Sequence, residues 1–127
     1  MRILLIDDEE LVCRTAQAIL ERAGYSVLTA RDGSRGLDLL REKGNEIDLV
    51  LLDLNMPGKS GVDVLKEIRL FDNTIPVAVA SGYSEDEVIQ RFGTNMISGF
   101  VQKPFTSSRL VKDVRTLLKP TTAAGTA

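Results

Sequence analysis

The sequence contains no histidine and no tryptophan, and it has one cysteine. Because histidine is absent, imidazole acid–base catalysis is excluded and a zinc site is disfavoured. A lone cysteine cannot form a disulfide within the chain, and it favours a reducing compartment. No apolar run approaches the length of a membrane span, and acidic residues follow the first apolar run too early for a signal peptide. We therefore expect a cytoplasmic protein without membrane contact.

The charges of the chain are nearly balanced. Lys and Arg number 16 against 18 Asp and Glu, and the net charge of −2 gives no reason to expect direct nucleic-acid binding. The 127 residues, 43% hydrophobic and 27% charged, are typical of one globular domain. We place that domain at residues 1–119. Pro120 ends the last helix, and only small or polar residues follow it, so residues 120–127 are predicted to form a disordered tail.

Short apolar or β-branched runs alternate with helical patterns along the whole chain. The predicted strands are residues 3–6, 26–30, 47–53, 76–80 and 98–102. This alternation implies an α/β fold with a parallel sheet covered by helices on both faces, although it leaves the strand order open. The spacing directs Val12, Ala16, Ile19 and Ala23 of the first helix inward.

Three candidate helix caps follow from residue type. Ser60 is the predicted N-cap of the third helix, and either Thr106 or Ser107 is the predicted N-cap of the last.

Polar side chains follow four of the predicted strands at the point where each strand ends. Asp7 and Asp8 follow the first, Asp53 ends the third, Ser81 follows the fourth and Lys103 follows the fifth. The carboxyl ends of parallel strands form one edge, where ligands bind. Simpler explanations are a helix cap for the first two acids, a strand end for Asp53, a turn at Ser81 and a surface position for Lys103.

Crowded carboxylates at this edge require a partner of opposite charge. Two unit charges about 5 Å apart repel by roughly 3 kcal/mol at an effective dielectric constant near 20. Magnesium relieves such repulsion, because it prefers oxygen ligands and is often held by one or two carboxylates plus a phosphate. A lysine can pair with a phosphate, and an aspartate can form an aspartyl phosphate. The set of residues therefore favours phosphoryl transfer to an aspartate.

These residues resemble the receiver domain of two-component response regulators, and the likeness extends to about Leu118. The fold that the resemblance implies is a flavodoxin-like (βα)5 three-layer sandwich with strand order 2-1-3-4-5. The matching motifs are Asp7-Asp8-Glu9, Asp53-Leu54-Asn55-Met56-Pro57-Gly58, Ser81-Gly82 and Lys103-Pro104-Phe105.

The resemblance also assigns the metal ligands and the acceptor. Asp53 would be the phosphoacceptor, and Asp8 and Asp53 would bind Mg²⁺ through their side chains. Asp7 would bind it mostly through water, and Asn55 through its backbone carbonyl.

Two further residues would take part in phosphoryl binding, and one in switching. Ser81 and Lys103 would contact the phosphoryl group, and the Lys103–Pro104 bond is expected to be cis. Phe100 stands where many family members have tyrosine. It would either switch together with Ser81 or simply pack in the core.

A histidine kinase or a histidine phosphotransfer protein would donate the phosphoryl group. No enzymatic activity is expected beyond self-phosphorylation and dephosphorylation. A candidate homodimer interface is formed by the fourth helix, which begins at Ser84, the fifth strand and the last helix. The stretches 80–84 and 99–105 look most like receivers of hybrid sensor histidine kinases. The chain has no room for an output domain, so we expect a single-domain regulator or a receiver cut from a larger protein.

Three alternatives stay open at this point. A flavin-binding flavodoxin-like module needs a phosphate-cradling loop after the first strand, where this chain has four acidic residues, 7–10. An aspartate-nucleophile phosphatase would need a cap domain, which is absent from this sequence. A receiver-like module that binds partners without phosphorylation would not need the full acidic set.

Overall fold

The computed structural model describes residues 1–54, 56, 60–72, 74–92 and 97–118, except for the side chains of Arg91 and Phe92. Strands and helices alternate through the described chain, as the pattern predicts. The elements are β1 (Arg2–Ile6), α1 (Glu10–Arg22), β2 (Ser26–Ala30), α2 (Gly33–Lys43), β3 (Leu49–Asp53), α3 (Gly61–Phe71), β4 (Val77–Ser81), α4 (Glu85–Phe92), β5 (Gly99–Gln102) and α5 (Ser107–Leu118), with a short 3-10 turn at Gly44–Glu46. The tail predicted at 120–127 lies outside the described residues, and the domain limit at 119 stays a prediction.

The five strands form one parallel sheet in the order β2-β1-β3-β4-β5. This order is the one that the resemblance implies, so the flavodoxin-like fold class is confirmed. Consecutive residues of each strand point to opposite faces, which divides the core in two. Leu4, Ile6 and Leu52 pack beneath α2 and α3, while Leu5 and Leu51 pack beneath α1 and α5. Burial of both faces explains why β3 is apolar without alternation.

Side-chain caps begin four of the helices, including α4, where Ser84 Oγ accepts a hydrogen bond from Glu87 N at 3.2 Å. Asp32 Oδ1 accepts a hydrogen bond from Arg35 N at 2.7 Å at the start of α2. Ser60 Oγ accepts one from Asp63 N at 3.3 Å, as predicted for the third helix. Thr106 Oγ1 accepts one from Arg109 N at 3.2 Å, so Thr106 rather than Ser107 caps α5. Each cap satisfies an amide that has no partner inside its helix.

The inward face predicted for α1 is partly wrong. Cys13, Ala16 and Leu20 are the buried residues of this helix, whereas Val12 and Ile19 are only half-buried. The prediction placed the apolar stripe about a sixth of a turn away, because it gave Cys13 no packing role. Cysteine is among the most frequently buried residue types, and here it fills the space beside β1.

Candidate functional site

The edge of the sheet brings the three predicted carboxylates together. One carboxylate oxygen from each of Asp7, Asp8 and Asp53 lies within 4.8 Å of the others. The cause is the pairing of β1 with β3, which sets Ile6 beside Leu52, so that the next residues of both strands are neighbours. Asp7 and Asp53 are buried. Burial in a medium that screens poorly makes their mutual repulsion stronger than it would be in water.

Lys103 reaches this cluster from β5. Its Nζ lies 2.8 Å from Asp7 Oδ2 and 3.3 Å from Asp53 Oδ1, and its side chain is 16% exposed. Burial alone would lower the pKa of Lys103, but the hydrogen bond to Asp7 and the charges of Asp53 and Asp7 outweigh it. The pKa therefore lies above its ordinary value of 10.5. Three carboxylates and one ammonium group leave two negative charges at the site.

The donor set fits Mg²⁺. All three acids offer hard oxygen ligands at an edge with two uncompensated negative charges, which a divalent cation neutralises. In addition, Asp8 Oδ1 is buried, and among the described residues no group donates a hydrogen bond to it. A buried carboxylate oxygen without a donor is costly unless another ligand satisfies it. The predicted contribution of Asn55 falls outside the described residues.

Ser81 lies at the end of β4 and is fully buried. The register pairs Asp53 with Ala80, so Ser81 is one residue beyond the level of the acceptor carboxylate on the neighbouring strand. Its Oγ accepts a hydrogen bond from Tyr83 N at 3.0 Å. Since a hydroxyl group can accept and donate at once, the hydrogen of Ser81 is available for another acceptor. A phosphoryl oxygen is an acceptor of this kind.

Asp7 accepts two further hydrogen bonds besides its ion pair with Lys103. Its Oδ1 accepts a hydrogen bond from Glu9 N at 3.0 Å, and its backbone oxygen accepts one from Cys13 Sγ at 3.2 Å. Burial and the charge of Asp7 raise the pKa of Cys13 to about 11, so the thiol keeps its proton. Glu9 itself is the N-cap residue of α1, which argues against a simple capping role for Asp7. The function of Cys13 in fixing the β1–α1 turn was not predicted.

Gly61 is a second residue that the sequence analysis missed. A Cβ atom at this position would overlap the backbone oxygen of Asp53 and would lie 2.5 Å from Leu54 Cα. Its amide donates a hydrogen bond to Leu54 O at 3.3 Å. Only glycine therefore allows the start of α3 to approach the end of β3. The signal in the sequence was a glycine directly after the cap residue Ser60.

Phe100 lies on β5, away from the carboxylates. It is half-buried and packs against the small cluster of Leu54, Val79 and Val88. This packing is the simpler of its two predicted functions, and it leaves the switching function as a proposal.

A cleft of about 510 Å³ opens over the acidic edge. Leu11, Val12 and Phe105 form part of its wall, and Leu11 is 76% exposed. The Lys103–Pro104 peptide bond beside the cleft is cis, as the resemblance implies. A larger open groove of about 1110 Å³ lies between α1 and α5, but it contains none of the clustered acids. We therefore regard the smaller cleft as the entrance to the site.

Comparison with known proteins agrees with this geometry. A family model described as the response regulator receiver domain matches residues 3–115. The chain is 32% identical over 94% of its length to the cell cycle transcriptional regulator CtrA of Caulobacter vibrioides, covering 51% of that protein. It is also 32% identical over 92% of its length to the sensor kinase CckA of Brucella abortus, covering 12% of that protein. The chain thus spans about half the length of CtrA and a small part of CckA.

One solved structure is informative about ligands. It is the response regulator protein TrrA of Thermotoga maritima in complex with Mg²⁺ and beryllofluoride, with 31% identity and a TM-score of 0.82. The match covers 92% of this chain and 98% of that one. In the described part of this chain, no helix combines the length and apolarity needed to cross a bilayer.

Proposed function

Because this chain belongs to the response regulator receiver domain family, we propose that it accepts a phosphoryl group on Asp53 in two-component signalling. The observation that carries this proposal is the cluster of Asp7, Asp8 and Asp53, whose carboxylate oxygens lie within 4.8 Å of one another, with Lys103 beside it. Such a site suits charge neutralisation and positioning, which supply most of the catalysis in phosphoryl transfer. The same acidic set disfavours a flavin site, since it repels a phosphate in the absence of metal.

Asp53 is the acceptor in this account. One of its carboxylate oxygens bonds to phosphorus while the phosphorus–nitrogen bond of a phosphohistidine breaks, and the departing imidazole keeps the electron pair of that bond. When bound to Asp8 and Asp53, magnesium supplies charge neutralisation for the carboxylates and the phosphoryl oxygens. Asp7 would act mostly through water, and Asn55 through its backbone carbonyl. Water later attacks phosphorus, the bond between phosphorus and the Asp53 oxygen breaks, and inorganic phosphate leaves, which restores the carboxylate. The domain therefore acts only on itself and is not a classical enzyme.

Ser81 and Lys103 would bind the phosphoryl oxygens. The Lys103 ammonium already lies 3.3 Å from Asp53 Oδ1, so it can pair with an oxygen added at that position. The Ser81 hydroxyl can donate its hydrogen to a second oxygen while it still accepts from Tyr83 N. Movement of Ser81 toward the phosphoryl group would draw in the β4–α4 loop and open space for Phe100 to turn inward, shifting a two-state equilibrium. Beryllofluoride, a mimic of the phosphoryl group, should change the amide chemical shifts of α4, β5 and α5. Loss of these changes in Ser81→Ala would support this switch.

A histidine kinase or a histidine phosphotransfer protein is the proposed donor. The apolar wall of the cleft, with the exposed Leu11 beside Val12 and Phe105, offers a contact surface next to the buried acceptor. Exposed apolar groups around a charged centre are typical of protein contact sites. No nucleic-acid partner is proposed for this domain.

The homodimer predicted through α4, β5 and α5 is also a proposal. The first turn of α4 carries Glu85, Asp86 and Glu87, whereas α5 carries exposed Arg109 and Lys112. Opposite charges on one surface can pair between two copies. Light scattering with and without Mg²⁺ and beryllofluoride tests this, and a monomer under both conditions would refute it.

The parent protein is proposed to be a hybrid sensor histidine kinase. The resemblance of stretches 80–84 and 99–105 and the likeness to a sensor kinase support this, while the equal likeness to CtrA supports a separate regulator. The length of the complete gene product decides between them. The proposed location is the cytoplasm, because the single cysteine favours a reducing compartment.

Intact mass after incubation with a small phosphodonor and Mg²⁺ tests the function. We expect one added phosphoryl group in the native chain and none in Asp53→Asn. A native chain without any mass increase would favour the module that binds partners without phosphorylation.

A further inference from the structure

The side chain of Gln102 joins the end of β4, where Ser81 lies, to the end of β5, which Lys103 follows. Its Nε2 lies 3.1 Å from Gly82 O, 3.4 Å from Ser81 O and 3.2 Å from Lys103 O. All three partners are carbonyl oxygens, so the side-chain nitrogen rather than the side-chain oxygen must face them. The amide has two hydrogens, and therefore one of them is shared between two acceptors.

The backbone reinforces this connection. Gln102 is the register partner of Ser81 at the last pair between β4 and β5. Beyond that pair, Lys103 N donates a hydrogen bond to Ser81 O at 2.8 Å. Without the side chain of Gln102, Gly82 would have no described hydrogen bond to β5. The side chain therefore extends the contact between the two strands into the loop that follows Ser81.

We propose that Gln102 is a positioning residue for phosphoryl binding, an inference that rests on the function proposed above. It holds the Ser81 hydroxyl and the Lys103 ammonium at a fixed spacing on one side of the cleft. Because both donors are already in place, ordering them requires less free energy when the phosphoryl group binds. The magnesium ligands lie on the other side, at the ends of β1 and β3, where Gln102 makes no described contact.

This arrangement distinguishes the binding of Mg²⁺ from the binding of the phosphoryl group. A general loss of stability would weaken both together. Gln102→Met keeps a side chain of similar length but removes the donor. Magnesium is titrated first, and beryllofluoride is then titrated at saturating Mg²⁺, with amide signals as the readout. We expect Mg²⁺ affinity to stay within about twofold of the native value and beryllofluoride affinity to fall about fivefold, the factor that one net hydrogen bond represents.

Two further variants sharpen the test. Gln102→Glu should weaken beryllofluoride binding more than Gln102→Met does, because its carboxylate would face three carbonyl oxygens. Gln17→Met is the matched control, since the hydrogen bond of Gln17 runs to Glu21 at 3.4 Å within α1. It should leave both affinities unchanged.

The inference is overturned if Gln102→Met binds beryllofluoride as tightly as the native chain, or if it loses Mg²⁺ and beryllofluoride affinity by the same factor. Failure of the native chain itself to bind beryllofluoride is a different result. It would refute the proposed function, and this inference with it.

Discussion

Lys103 Nζ lies 3.3 Å from Asp53 Oδ1, so a cation from the edge strand β5 contacts the end of the central strand β3. The same ammonium group lies 2.8 Å from Asp7 Oδ2. Burial opposes its charge, but the two carboxylates outweigh burial and raise the pKa of Lys103 above 10.5. Lys103 therefore stays charged at neutral pH, and any group added to Asp53 meets a cation.

Replacement of this lysine separates its effect on the metal from its effect on the phosphoryl group. Lys103→Met removes a positive charge that repels Mg²⁺, so we expect Mg²⁺ affinity to rise by at least about fivefold, because two unit charges about 4 Å apart repel by roughly 1 kcal/mol even in water. Some phosphorylation of Asp53 should persist, while the amide shifts that it causes in α4, β5 and α5 should shrink. Lys66→Met, an exposed site on α3, is the control. A weaker Mg²⁺ titration in Lys103→Met would contradict the charge argument.

Asp8→Asn tests the metal site. Asp8 contributes a carboxylate to the acidic cluster, and its buried Oδ1 lacks a donor among the described residues. Removal of this charge should lower Mg²⁺ affinity at least tenfold, roughly the value of one charged ligand, and should slow phosphorylation. Asp38→Asn, exposed on α2, should change neither quantity. Unchanged Mg²⁺ affinity in Asp8→Asn would show that the metal ligands are assigned wrongly.

Gly61→Ala should displace the backbone that carries the acceptor Asp53. The added Cβ overlaps the backbone of Asp53 and Leu54, which must shift. We expect a loss of about 1–3 kcal/mol in the free energy of unfolding, typical of overpacking, together with slower phosphorylation. Gly44→Ala is the matched control, because a Cβ there meets nothing within 4 Å and the backbone is helical. Equal stability of the two variants in urea would refute the close approach.

The turn after α3 makes the stability of the protein depend on pH in the acidic range. Hydrogen bonds from the Thr74 amide and hydroxyl and from the Ile75 amide, at 2.8, 2.8 and 3.0 Å, converge on Asp72 Oδ1. The Thr74 amide bond is the main cause that lowers the pKa of Asp72 below 3.8. A carboxyl group whose pKa is lower in the folded state stabilises the protein above its unfolded pKa, and that stability is lost as pH falls through the folded value.

Asp72→Asn should therefore lower the free energy of unfolding by roughly 1 kcal/mol at pH 7, because a hydrogen bond to a neutral amide oxygen is weaker than one to a carboxylate. The difference from the native chain should shrink as the pH falls below 3.8, the ordinary pKa of the group. Urea titrations of both proteins at pH 7 and at a pH below 3.8 measure this difference. A difference that is the same at both would mean that the charge of Asp72 has no stabilising effect.

The residues at the strand ends were predictable because β-strands carry a local signal and parallel strands share an edge. Asp7, Asp53 and Lys103 meet where that rule places them. Gly61, Cys13 and Gln102 were missed, because their functions depend on contacts with Asp53 O, Asp7 O and Gly82 O that no local pattern encodes. The face of α1 was misjudged for a related reason: which side of a helix is most buried depends on the elements that cover it.

Chemical identification of the modified residue distinguishes Asp53 from the neighbouring acids as the phosphoacceptor. Borohydride reduces an aspartyl phosphate to homoserine, so peptide sequencing by mass spectrometry after phosphorylation and reduction reads the acceptor position. We expect homoserine at position 53 when Mg²⁺ is present during phosphorylation, and none when Mg²⁺ is chelated beforehand. Homoserine at position 7 or 8, or its formation without a divalent cation, would contradict this expectation.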